Sequence, residues 1–383
     1  MSEPMRVNTL GTRWEVDVAP LPPEIGDRLR ALWSHTSDWT PDASEPEGFP
    51  RRLVARLDTE GLDGADAILL PADANAAPYA FSGALTVRAI QAQAGRLTML
   101  HASSLALPQT GAAALLVAAS GTGKTTAATR LGRDLNYLTD ETAAVRDDLG
   151  IVPHPKPLSI VGDGGKHERS PAELMLLPCR HDAWVAASLL LDRVSGASAH
   201  LAPVPVIDAI IEAIPQSSSL PAQDQPFERL LAVFAAGQGV HRLVYSEIDD
   251  AVPVVHDLLQ SASRGERTDL GAEVLSPPPD RVGTPWSAHP GTAVDLSRTT
   301  RLRRAPWVDA VAAENEVLVL NGPQPVRLLG IGSTIWVAAE EPTTVAELTA
   351  AVVEIHGPHP RARRLVGGAI QALAEQGLLT VHV

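Results

Sequence analysis

The stretch Ser120-Gly121-Thr122-Gly123-Lys124-Thr125-Thr126 brings small side chains, hydroxyls and one cation together in a single short segment. Ser120, Gly121 and Gly123 are small enough for successive backbone N–H groups to wrap phosphate oxygens. Lys124 places an ammonium at the β- and γ-phosphates, and Thr122, Thr125 and Thr126 add hydroxyls, that of Thr125 suited to Mg²⁺. An apolar run over 112–119 enters the segment and a helical pattern over 124–133 leaves it. A helix N-terminus therefore adds its partial positive charge where the phosphates would sit. The complete phosphate-loop pattern has a glycine at the position of Ala118, so the sequence carries only its later part. The alternative is a Gly-rich strand-to-helix turn without a ligand. The flanking strand and helix and the Gly-Lys-Thr-Thr core favour a bound nucleoside triphosphate, ATP or GTP, with Mg²⁺.

Two carboxylates follow. Asp140 and Glu141 close the expected strand 135–139, the first after the loop's helix, and so stand at a strand's C-terminal end, where α/β sheets hold ligands. Adjacent acids there can divide the work of transfer: one accepts the proton of an attacking hydroxyl, the other holds Mg²⁺ directly or through water. A helix cap or solvated turn is the structural alternative for Asp-Glu-Thr. His101 sits on the apolar run 97–107, and by itself a histidine there reads as a satisfied core residue.

These residues need a sheet to position them, and the chain is long enough to build one. Its 383 residues are 45% hydrophobic and 20% charged, a globular composition at a length suited to two or three domains. The net charge of -14 argues against a nucleic-acid partner, so anionic ligands must be met locally. The single cysteine, Cys179, excludes an internal disulfide and fits a reducing interior. No signal pattern and no apolar run of spanning length is present, so the expectation is a cytoplasmic protein without a membrane partner. A homo-oligomer is compatible with all of this.

Strand-like stretches at 6–16, 52–57 and 67–70 and a helix over 22–33 form an N-terminal accessory α+β region, 1–95. The runs 97–107 and 112–119, parted by Pro108-Gln109-Thr110-Gly111, read as a hairpin. Further strands at 143–146, 150–153, 183–192 and 241–246, with helices at 206–214, 227–238 and 254–263, give an α/β layout over 96–263. Residues 264–300 are rich in Pro, Gly, Ser and charge, including Ser276-Pro277-Pro278-Pro279 and Gly283-Thr284-Pro285, and read as a linker. A compact module follows over 301–383, with strands at 307–312, 316–320 and 325–329 and helices at 333–338, 344–355 and 361–376. Arg301-Leu302-Arg303-Arg304 reads as a solvated end of the linker.

Taken together, Leu100-His101-Ala102, the hairpin, Ala119 to Thr125, and Leu138-Thr139-Asp140-Glu141 resemble the catalytic core of HPr serine kinase and its smaller relatives. The resemblance implies a P-loop kinase sheet in which His101 lies beside the phosphates and Lys124 and Thr125 contact phosphate and Mg²⁺. Asp140 is then the base and Glu141, with Thr125, the metal side, though the two acids are interchangeable at this level. No glycine-rich signature of the phosphorolytic activity is present; Val161-Gly162-Asp163-Gly164-Gly165-Lys166 is a loop in that region, and HPr itself is not the expected substrate. Lys156, in a Pro-Lys-Pro-Leu segment shared with the small relatives, either reaches the transferring phosphate or is a solvated surface lysine.

Residues 301–383 resemble the winged-helix-like PqqD fold, which recognises leader peptides of ribosomally made, modified peptides. The supporting residues are Trp307-Val308-Asp309-Ala310, Val317 to Leu320, Val326 to Leu329, Gly332 to Trp336, Thr343 to Leu348 and Leu373 to Leu379. The resemblance implies a groove between the third strand and last helix where a peptide adds as a strand, lined by Val326, Leu328, Arg364 and Leu365. The implied function is ATP-dependent phosphorylation of a hydroxyl on a captured precursor peptide. A nucleotide-switched leader-binding scaffold without catalysis, and a small-molecule kinase with a partner-binding module, are the alternatives.

Overall fold

The computed structural model describes residues 3–36, 51–57, 66–162, 165–275, 288, 290–297 and 299–382. It is a mixed α/β protein that divides into two compact units: Met1–Val204 with Glu212–Gln223 and Ala232–Thr268, and Pro205–Ile211 with Asp224–Leu231 and Asp269–Val383. The Pro-rich segments 276–279 and 283–285 lie outside the described residues.

The first unit is organised by a six-stranded sheet, in the order His200–Pro203, Val240–Tyr245, Trp184–Arg193, Ala112–Val117, Ala102–Ala106, Asn136–Thr139. Trp184–Arg193 runs parallel to both its neighbours, and Ala102–Ala106 runs antiparallel to both of its own. Strand Ala112–Val117 is buried at every position, which is why it reads as an unbroken apolar run instead of an alternating one. Helices Lys124–Leu131 and Ile248–Ser261 supply Ala127, Ala128, Leu131, Val255 and Leu259 to the core against this sheet. Pro253 lies inside the second of these helices, which begins six residues earlier than a start after proline would place it; Asp249 and Asp250 in its first turn favour that earlier start.

The expected single run 97–107 is two strands. Thr98–Leu100 joins a separate sheet, ordered Ile151–Val152, Ala143–Val145, Thr98–Leu100, Ser217–Ser218, while Ala102–Ala106 joins the large one. His101 is the residue at the break, its N–H donating to Gln216 O at 2.6 Å. The expected run 6–16 likewise divides, into the hairpin Met5–Thr9 and Thr12–Asp17, turned by Leu10 and Gly11 at φ 48° and 76°.

The N-terminal region carries a helix that the sequence reading missed, Ala76–Gln93, whose 18 residues bury Ala77, Phe81, Leu85 and Ala89 at every fourth position. Its core also takes in Met99, Ala144 and Val152, so the N-terminal strands and helices share one apolar interior with the sheet that ends at His101. Of the expected loop 161–166, Val161 and Gly162 pair with Lys166 and Gly165 in a hairpin of Leu158–Gly162 with Gly165–Arg169, while 163–164 lie outside the described residues.

The second unit has a four-stranded antiparallel sheet, Ala272–Val274, Asp309–Ala313, Glu316–Asn321, Gln324–Leu329 in that order, and a small sheet of Thr343–Thr344, Arg301–Arg304 and Leu379–Val381. Three helices, Ile331–Ala338, Val345–His356 and Ala362–Glu375, cover it. The second has a capping box: the Thr344 hydroxyl accepts from Glu347 N–H while the Glu347 carboxylate accepts from Thr344 N–H. Arg304 is not a solvated linker end. It is 4% exposed, stacked 4.3 Å from the Trp336 ring and 5.4 Å from that of Trp307, and its Nε donates to Trp336 O.

Candidate functional site

Strand Ala112–Val117 ends at the glycine loop, and the loop ends on helix Lys124–Leu131, as the chemistry requires. Gly121 and Gly123 have φ of 84° and 99°, the left-handed region where a side chain is strained, although open space surrounds both. Gly123 is the N-cap of helix Lys124–Leu131, so the helix N-terminus opens on the loop, where its N–H groups would meet an anion. Lys124 is buried, not exposed as a loop lysine usually is: its Nζ donates to Ala118 O at 2.5 Å and Ala119 O at 3.1 Å. Burial lowers the pKa of this ammonium, against the opposing pull of Asp140 and Glu141.

Asp140 is the centre of the site. It is 4% exposed; Thr125 Oγ1 donates to its Oδ2 at 3.1 Å, Tyr137 OH to its Oδ1 at 3.0 Å, and Ser103 Oγ to its backbone carbonyl at 3.2 Å. The Lys156 ammonium lies 3.3 Å from Asp140 Oδ1 and 3.3 Å from Glu141 Oε2, and donates to Pro157 O at 2.9 Å. Lys156 is therefore neither a solvated lysine nor a free phosphate contact; its donors are taken up by the two acids and a carbonyl. Burial by itself would lower its pKa, but the charges of Asp140, Glu141 and Glu168 outweigh that and raise it.

Glu141 is the more open of the two acids, with 36% of its side chain exposed. His101, at the strand break, is half-buried; burial and the Lys124 charge hold its imidazole below the ordinary range, partly offset by Glu141 and Asp140. The structure thus gathers His101, Ser120, Gly121, Gly123, Lys124, Thr125, Thr126, Asp140 and Glu141 around one cleft of about 880 Å³. Thr122 turns inward on the loop, its Oγ1 donating to Ala119 O at 2.8 Å.

Among the described residues of the cleft, one oxygen pair could hold a divalent ion. Thr125 Oγ1 and an Asp140 carboxylate oxygen, 3.1 Å apart, form the kind of sparse oxygen pair that Mg²⁺ uses when substrate phosphates complete its shell. Among the described residues no group of three or more His, Cys, Asp or Glu could hold a metal without such help.

Sequence reasoning left a second ring of polar residues unseen. Glu168 is buried beneath the cleft, accepting from Ser82 Oγ at 3.0 Å and from Ser159 Oγ, and burial raises its pKa. His154 is fully buried with Nε2 3.1 Å from Thr86 Oγ1. Both contacts join the missed helix Ala76–Gln93 to the segment around Lys156, and no local pattern in the sequence announces them.

In the second unit the expected peptide-lining residues separate by environment. Leu328 is buried in the core and Val326 is half-buried against it, whereas Arg364 and Leu365 are exposed on helix Ala362–Glu375. Strand Gln324–Leu329 is the outermost of its sheet.

No described helix is long and apolar enough to cross a membrane. No protein-family model matches the chain, and no curated protein matches it. Among solved structures, the Hpr(Ser) kinase/phosphatase from Coxiella burnetii is similar to this chain with 11% identity over 42% of this chain and 93% of that one, at a TM-score of 0.25. That likeness is too slight to argue from, and the site's own geometry has to carry its chemistry.

Proposed function

We propose that this chain is a phosphotransferase that moves the γ-phosphate of a nucleoside triphosphate, with Mg²⁺, onto an acceptor hydroxyl. The observation that carries the reading is the bond from Thr125 Oγ1 to Asp140 Oδ2 at the foot of a glycine loop, with a second acid beside it. A loop that only bound phosphate would need no acid pair, and burying Asp140 and Lys156 is costly unless the charges are used.

The geometry favours exchanging the roles first given to the acids. Asp140 has both carboxylate oxygens engaged and touches Thr125, so it suits the metal side; Glu141, more exposed, suits the acceptor's proton. Lys124 would swing from the carbonyls of Ala118 and Ala119 to the phosphates, and His101 would stand at the edge of the transferring group. Glu141 takes the hydroxyl proton as the acceptor oxygen attacks phosphorus, and the nucleoside diphosphate leaves. When bound, Mg²⁺ supplies charge neutralisation on the phosphates.

The acceptor we favour is a hydroxyl of a precursor peptide held by residues 301–383. What supports this is strand Gln324–Leu329, the outermost of its sheet among the described residues, whose edge offers backbone groups for strand addition, with Arg364 and Leu365 as accessible side chains. Tethering raises the local acceptor concentration, so the kinase cleft need not bind it tightly.

The test is triphosphate turnover with and without a candidate peptide in Lys124→Ala and Glu141→Gln proteins that melt like wild type. We expect Lys124→Ala to lose at least about a hundredfold in turnover, and Glu141→Gln to keep nucleotide affinity while losing transfer. Near-wild-type turnover in folded Lys124→Ala would sink the reading.

A further inference from the structure

A second cavity, of about 280 Å³, takes no part in the chemistry above. Its walls are apolar: the Tyr137 ring, Pro153, Pro155, Pro171, Leu176 and Leu177. The polar residues Asn8, His35, Thr36, Cys179 and His181 also line it. The volume lies between the roughly 150 Å³ cavity that holds benzene and the roughly 300 Å³ at which drug-sized clefts begin, so there is room for one ring or two fused ones.

We propose that this cavity binds a small, neutral, ring-bearing molecule and that its occupancy is read at Asp140 through Tyr137. Neutrality follows from the lining, which among the described residues has no carboxylate, lysine or arginine to balance a charge brought in from water. Burial also keeps both imidazoles below their ordinary range and lifts the Cys179 thiol to about 12, so the polar atoms offered are uncharged donors and acceptors.

The coupling is a matter of shared residues. Tyr137 lines this cavity, yet its hydroxyl donates to Asp140 Oδ1 at 3.0 Å, with Lys156 O 3.2 Å away, and Asp140 lines the phosphate cleft. Pro155, also on the wall, has its carbonyl bonded to the His35 ring and is followed directly by Lys156, which grips both acids. A molecule pressed against the ring and Pro155 therefore acts on two of the groups that fix Asp140.

The experiment uses the full chain and ligand-observed NMR with indole, phenol and benzimidazole, with benzoate and benzamidine as charged controls. The neutral rings should bind and compete with one another, the charged ones should not, and Ala172→Phe at the cavity's rim should weaken binding at least about tenfold. The smaller Ala172→Leu replaces it if the phenylalanine does not fold. Saturating ring should change triphosphate turnover at least about twofold in wild type, and this response should vanish in Tyr137→Phe, which keeps the wall and loses the hydroxyl. Absence of neutral-ring binding, or binding that both rim variants leave intact, overturns the site; a turnover indifferent to bound ring overturns the coupling. The coupling rests on the phosphotransfer reading and the binding does not. A chain with no turnover that still binds rings at this rim thus refutes phosphotransfer and coupling together and upholds the cavity.

Discussion

Replacing Lys156 with methionine removes one charge and keeps the length of the chain. In the folded protein the Lys156 ammonium is 4% exposed and sits 3.3 Å from Asp140, itself 4% exposed. Its second acid, Glu141, is 36% exposed, so water screens that pair and most of the effect must come from Asp140. Breaking a buried pair by deleting one partner leaves an uncompensated charge and costs about 3–5 kcal/mol. The folded pKa of Lys156 lies above its unfolded value, so its contribution is fully present below roughly pH 10 and fades only in strong alkali. Lys156→Met should therefore lose about 3–5 kcal/mol at pH 7 by urea unfolding. A deficit below about 1 kcal/mol would falsify the claim that the ammonium fixes the acid pair. In that event the lysine is a packing residue and the acids stand by themselves.

His154 has its pKa lowered to about 3 by burial and by the Lys156 charge, so the stability it contributes is present above roughly pH 6.5 and drains away as pH falls. We expect a loss of about 2 kcal/mol from this group by pH 5, checked by denaturant melts of wild type against His154→Gln, whose melts should be less acid-sensitive. Asp309 behaves oppositely. Its carboxylate accepts from the N–H groups of Phe227 and Glu228 at 2.8 and 3.3 Å, capping the start of helix Pro226–Phe234, yet burial lifts its pKa to about 6. An acid whose folded pKa is raised is most stabilising when protonated, so stability should fall by about 2 kcal/mol as pH climbs from 4 to 7. Asp309→Asn should flatten that slope, and an unchanged slope in the variant would assign it to other groups.

The sequence by itself determined the elements whose signals are local. The glycine loop was legible because left-handed backbone at Gly121 and Gly123 needs glycine, and because a buried strand must be apolar throughout, as Ala112–Val117 is. Asp140 and Glu141 were legible because they close the next strand, and three of the strands and the three helices of residues 301–383 because their periods are clean. What only the tertiary structure decided depends on partners distant in the chain. Helix Ala76–Gln93 was hidden by an alanine-rich composition whose apolar face emerges only against strands far away. The break at His101 comes from two sheets claiming successive halves of one apolar run, a competition invisible to periodicity. Arg304 looked solvated among other arginines until two tryptophans closed over it. Above all, the roles of Lys156, Tyr137 and the two acids are set by which charge is buried beside which. Burial is a property of the folded whole, and no stretch of sequence carries it alone.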